Sequence, residues 1–167
     1  MSLAPQPPIV TADLYDLHHE AVEVIDLQFR RFGRPATFFG PCATLLCFED
    51  HAPVLARLSA PGEGRVLAVD AGGSLRVGVM GDRLAAIGAA NGWRGVVIAG
   101  AIRDSAGIDA LDFGVRALGT TARRAWSPNP SATGEPLALG GATVREGDWL
   151  YADRDAVLVA RGALPLG

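Results

Sequence analysis

Residues 94–102, RGVVIAGAI, run from Arg94 into an unbroken apolar stretch. A strand with one wet face would alternate; a continuous run of this length marks a strand buried on both faces, as in α/β sheets. Just before it, DRLAAIGAAN reads as a helix that opens at Asp82 and is stopped by Gly92. Just after it comes the pair Arg103-Asp104, separated from Asp82 by twenty residues. Helix and strand run roughly antiparallel, so the acidic helix start returns beside the Arg-Asp end. Two carboxylates and one guanidinium then share one small region, followed by a loop with Ser105 and Gly107. That combination suits a divalent cation and an anionic substrate.

The remaining segments support an α/β domain with a mixed sheet. Residues 1–10 are rich in proline and are expected to fray, leaving 11–167 as one domain. Thr11 is placed to cap a helix over TADLYDLHHEA, with Asp13 in its first turn. ATFFGPCATLLCF reads as a strand bent at Gly40-Pro41. Residues 49–60 read as a helix with Pro53 in the first turn. RVLAVDA is a buried strand, and residues 75–80 are expected to form another short one. A short turn or helix is expected over 109–112, then a strand in GVRALGTTARRA. WSPNPSATGEP, with three prolines, is a long loop and the expected mobile segment. TVREGDWLYAD and AVLVA form a hairpin that turns at Arg154-Asp155.

The 167 residues, 49% hydrophobic, are enough for one domain with a sizeable core. Net charge is −3 with both signs interspersed, which argues against direct nucleic-acid binding. Cys42 and Cys47 are five apart in one strand and so on opposite faces; free thiols suit a reducing cytoplasm. MSLAPQPPIV has no basic leader region and no long apolar core, so no signal segment is expected. No apolar run reaches membrane-spanning length. His18 and His19 are adjacent and point apart on a helix, which suits a shared metal badly.

Each candidate site has an ordinary structural alternative. GDRL offers the unpaired N–H groups of a helix start to an anion, yet Asp82 could simply be a cap. Arg103-Asp104 stands at a strand's carboxyl end, where α/β proteins hold ligands, yet such a pair could be a salt bridge or a turn cap. Gly72-Gly73-Ser74 lacks a phosphate-loop pattern and reads as a tight turn. Asp148, Asp153 and Asp155 read as solvated hairpin ends. The cysteines show no pattern of a thiol nucleophile, and no serine stands in a nucleophile elbow.

Six segments together carry a stronger signal: DLQFRRFG, FFGPCATLLCFED, GRVLAVDAGGSLRVGVMGD, NGWRGVVIAGAIRD, DFGVRALGT and GGATVREGDWLYAD. They resemble the family of regulator of ribonuclease activity A and the 4-hydroxy-4-methyl-2-oxoglutarate aldolases. The resemblance implies a single-domain three-layer β/β/α fold of the swivelling type, assembled as a homotrimer in the cytoplasm. It implies a metal-dependent carbon–carbon lyase acting on a small 2-oxo acid through a pyruvate enolate, as an aldolase, an oxaloacetate decarboxylase or both. By resemblance, Asp104 holds Mg²⁺ or Mn²⁺ and Arg103 contacts the pyruvyl group. The backbone of Gly81, Asp82, Arg83 and Leu84 receives the pyruvate end, and Asp82 orients a water on the ion. Longer aldolase relatives supply a further acidic residue from a C-terminal extension, so decarboxylation is the less demanding activity here. The competing expectation is a non-catalytic regulator that binds and inhibits an RNA-degrading endonuclease. A menaquinone-pathway methyltransferase, an older expectation for the family, finds no Gly-rich cofactor fingerprint in this chain.

Overall fold

Residues 95–102 form the expected strand, and every one of them is buried. The computed structural model describes residues 2–167. In chain order the elements begin with α1 (Thr11–His18), β1 (Val22–Val24), β2 (Arg30–Phe32), β3 (Phe38–Leu46) and α2 (Ala52–Ser59). They continue with β4 (Val66–Asp70), α3 (Asp82–Ala90), β5 (Gly95–Ile102), α4 (Ser105–Asp109) and β6 (Gly114–Thr120). The last are β7 (Ala132–Thr133), β8 (Leu137–Leu139), β9 (Ala142–Val144), β10 (Trp149–Ala152) and β11 (Val157–Ala160).

Strands β3, β4, β5 and β6 are parallel neighbours, and β2 closes the β6 edge antiparallel. β3 also joins this sheet to a second one. Its first half, Phe38 to Pro41, pairs antiparallel with β10, whereas Cys42 to Leu46 pairs with β4. The change of partner falls at the Gly40-Pro41 bend, where proline has no N–H to give a ladder. β11 and β1 extend the second sheet beyond β10, and β8 and β9 form a separate pair.

The central strands send alternate residues to two cores. Leu67, Val69, Val96 and Ile98 pack with Val54 and Leu58 of α2, Ala85 of α3 and Ile108 of α4. Val66, Ala68, Val97 and Ala99 pack with Leu137, Leu139, Val144, Leu150 and Val159. Helices therefore cover one face and strands the other, which is the β/β/α layering. Burying one such aliphatic side chain is worth roughly 1.5–3 kcal/mol, so β4 and β5 are the main stabilising strands. Cys42 and Cys47 lie in opposite cores, and burial pushes both thiols up to about 12.

Several local expectations need correction. Val10, not Thr11, occupies the cap position of α1; Thr11 instead donates its N–H (2.7 Å) and hydroxyl (2.9 Å) to Asp153. Residues 75–80 make only a single bridge, Gly78 to Ala101, because Val79 alone donates to β5 while Gly78 donates to Arg123 outside any strand. The short helix begins at Ser105, not 109. β9 pairs with β8, so the hairpin at Arg154-Asp155 contains β10 and β11 alone. Asp148 and Asp153 are buried, not solvated. Asp148 pairs with Arg161 and accepts the Arg145 N–H. The long loop contributes β7, which pairs with Leu45 and Leu46 of β3. In the segment before α1, Gln6 exchanges hydrogen bonds with the Phe39 backbone and Ile9 is buried.

Candidate active site

The end of β5 is clamped from both sides. Val79 donates its N–H to the Ala101 carbonyl (3.0 Å), and Arg103 donates its own to Met80 (2.8 Å). Thr121 donates to Ile102 (3.0 Å). These bonds fix the backbone of Arg103 against the 78–81 segment that leads into α3. The helix start and the Arg-Asp pair therefore do meet, as the helix–strand unit predicts.

Three glycines make room for the meeting. A Cβ on Gly81 would lie 2.6 Å from a carboxylate oxygen of Asp104. One on Gly78 would overlap the Arg103 side chain, and one on Gly107 would overlap Asp82. The site is thus shaped by side chains pressed onto bare backbone. Asp104 adopts the left-handed conformation (φ 56°, ψ 43°). Aspartate tolerates that conformation better than most residues, but it still costs about 1 kcal/mol or more.

The ordinary alternatives for these side chains are not realised. Asp104 occupies the cap position of α4 without a side-chain capping bond, and Gly81 rather than Asp82 caps α3. Among the described residues, neither Arg103 nor Asp104 joins an ion pair. A half-buried guanidinium and an exposed carboxylate thus stand side by side, neither in an ion pair.

They open on a cleft of about 180 Å³ lined by Gly81, Arg83, Leu84, Arg103 and Asp104. These are five of the six residues expected from sequence. The sixth, Asp82, is half-buried with its carboxylate against Gly107, beside the cleft rather than on its lining. Sequence reasoning missed His51 and Leu55 from the start of α2, Gly78 and Met80 from the 78–81 segment, and Arg124. His51 and Arg124 stand in segments that carry no motif. The first turn of α3 leaves the N–H groups of Asp82, Arg83 and Leu84 without intrahelical partners, which favours an anion there.

The donor set bears on which metal would fit. Among the described residues no three His, Cys, Asp or Glu side chains converge on one point. Asp104 alone offers an unengaged hard oxygen on the cleft. Mg²⁺ is commonly held this way, by one or two carboxylates with water and substrate oxygens completing its shell. The residues present fit such an ion.

Comparison with known proteins places the chain in a family. The family described as Aldolase/RraA, RraA-like, matches residues 11–159. The chain belongs to this family. A protein of Alkalilimnicola ehrlichii, provisionally named 4-hydroxy-4-methyl-2-oxoglutarate aldolase, is 44% identical over 93% of this chain and 97% of its own length. A crystal structure from Geobacillus kaustophilus, described as an S-adenosylmethionine:2-dimethylmenaquinone methyltransferase, superposes with a TM-score of 0.90 at 41% identity. That match covers 93% of this chain and 97% of the other. The RNA-processing inhibitor RraA from Thermus thermophilis also gives 0.90, at 36% identity over 95% and 96% of the two chains. The Aldolase/RraA fold thus carries three different functional names.

Proposed function

We propose that the protein is a divalent-metal-dependent lyase that cleaves a carbon–carbon bond in a small 2-oxo acid and releases pyruvate. One observation carries this reading: Arg103 and Asp104 share a cleft with the start of α3, and neither takes part in an ion pair. The aldolase name of the Alkalilimnicola relative supports it.

Mg²⁺ or Mn²⁺ on Asp104 would supply Lewis-acid polarisation of the 2-oxo acid. The chain's own groups do the rest. Backbone N–H groups of Asp82, Arg83 and Leu84 receive the substrate carboxylate, and Arg103 lies against the keto oxygen. In oxaloacetate the bond from C3 to the distal carboxylate breaks, carbon dioxide leaves, and the electron pair passes to the C2–C3 enolate. Arg103 stabilises the charge that develops on the former keto oxygen. Protonation at C3, by a water that Asp82 orients, gives pyruvate. Aldol cleavage of 4-hydroxy-4-methyl-2-oxoglutarate passes through the same enolate.

The test is pyruvate release from both substrates, with Mg²⁺, with Mn²⁺ and after complete chelation. Turnover is expected with either ion and not without. Activity that survives chelation would overturn the metal-dependent reading, and no pyruvate from either substrate would overturn the lyase.

The second reading is inhibition of an RNA-degrading endonuclease, favoured by the name of the Thermus relative. It would be seen as slower RNA cleavage that Asp104→Ala leaves unchanged. On either reading a homotrimer is proposed. Leu46, Phe48 and Leu75 are exposed apolar side chains that a neighbouring subunit would cover.

A further inference from the structure

The cleft that holds Arg103 and Asp104 is not isolated. A second hollow of about 220 Å³ is lined by Asp50, Trp126, Ser127 and Pro128, and His51 and Arg124 line both. The two hollows therefore abut, with Arg124 at the junction. Its guanidinium carbon sits 4.6 Å from the centre of the Trp126 ring, and its Nε donates to the Ala125 carbonyl at 3.3 Å. No carboxylate pairs with it among the described residues, whereas Arg57 and Arg76 each have one and Arg161 has two.

The single carboxylate in the second hollow is already committed. Asp50 is buried, accepting the Ala52 N–H on one oxygen (3.0 Å) and the Asn129 N–H on the other (3.0 Å). The junction thus presents a cation without an ion-pair partner, seated over an aromatic ring. Among the described residues only Nε of the guanidinium makes a hydrogen bond, which leaves the terminal N–H groups of the fork for a carboxylate.

We infer that Arg124 recognises a second carboxylate at the far end of the substrate, so that the site selects dicarboxylic over monocarboxylic 2-oxo acids. The inference rests on the lyase reading for the orientation of the substrate, with its 2-oxo end at Arg103. The Arg124–Trp126 pair then sets specificity at the other end.

The test uses a matched pair that the proposed chemistry leaves intact. 2-Oxoglutarate and 2-oxopentanoate have the same carbon chain and differ only in ending in a carboxylate or a methyl group. Their affinities are measured by calorimetry with Mg²⁺ for the parent, Arg124→Ala and Arg124→Lys. The parent is expected to favour 2-oxoglutarate by roughly tenfold or more, the scale of one charged contact. Arg124→Ala should bring the pair within about twofold, and Arg124→Lys should retain part of the preference. Circular dichroism establishes that each variant is folded. A parent without the preference, or an Arg124→Ala variant that keeps it, overturns the inference. A turnover arm separates this outcome from the lyase reading. With 4-hydroxy-4-methyl-2-oxoglutarate, whose distal carboxylate survives the cleavage, Arg124→Ala should raise KM more than it lowers kcat. If the parent releases no pyruvate yet its preference depends on Arg124, the lyase reading fails and the second anion site stands. If the parent is active but indifferent to the second carboxylate, the reverse holds.

Discussion

Arg103 holds a guanidinium fork at the end of β5 without an ion-pair partner, and that freedom is what makes it available. Lysine would keep the charge and lose the planar pair of donors that matches a carboxylate. Arg103→Lys is therefore expected to lower kcat/KM for oxaloacetate by about 10²-fold, the scale of losing one charge-stabilising donor. Asp104→Ala should also abolish the response to added Mg²⁺. Both variants should melt within about 1 kcal/mol of the parent, because neither side chain lies in a core. Steady-state kinetics with a thermal melt on the same samples checks both statements. Asp82, Arg103 and Asp104 were legible because they stand at the ends of one helix–strand unit, where local periodicity fixes who meets whom. His51 and Arg124 were not, because their place on the cleft depends on long-range packing that leaves no pattern in their own segments. The left-handed backbone at Asp104 was equally silent, since aspartate is compatible with several conformations.

Among elements, α1 and the β10–β11 hairpin are joined through one carboxylate. Asp153 accepts hydrogen bonds from Thr11, Asp155 and Ala156. Burial pushes its carboxyl up, but these donors outweigh burial and hold it below the usual range. The depressed value means that the folded state binds this proton more weakly than the unfolded state. Its stabilisation is present above the ordinary carboxylate pKa of about 4 and is lost as pH falls below that. Asp153→Asn should cost roughly 1–3 kcal/mol at pH 7 and flatten the decline of stability on the acid side. Urea melts from pH 3 to 7 on both proteins measure this; parallel curves would refute it. The sequence showed an aspartate at a hairpin turn, for which solvation is the ordinary expectation, and gave no sign that α1 would dock there. The strand expected over 75–80 failed for a related reason. Most of its residues are apolar, but their backbone partners are Ala101, Arg103 and Arg123, which turn the segment into a clamp for β5.

For the whole molecule, the order of the central elements was readable because β4 and β5 are apolar on both sides, and such strands need cover on both. The role of β3 was not, since a single strand that serves two sheets reads as one strand with a bend. The proposed homotrimer would cover the exposed Leu46, Phe48 and Leu75. Light scattering at micromolar concentration is expected to give three times the chain mass, and replacing Phe48 by Asp should lower it; a stable monomeric parent would refute the trimer. The glycines beneath Arg103, Asp104 and Asp82 have a consequence for how such a protein can change over time. A methyl group on Gly78 or Gly107 would press on the inner atoms of Arg103 or Asp82, so this part of the cleft floor resists remodelling by single substitutions. Its rim, where Arg124 and Trp126 are exposed, has no such restriction. New specificities on this scaffold should therefore arise by rewriting the 122–131 segment above an inherited floor, which would let one architecture diversify without being rebuilt.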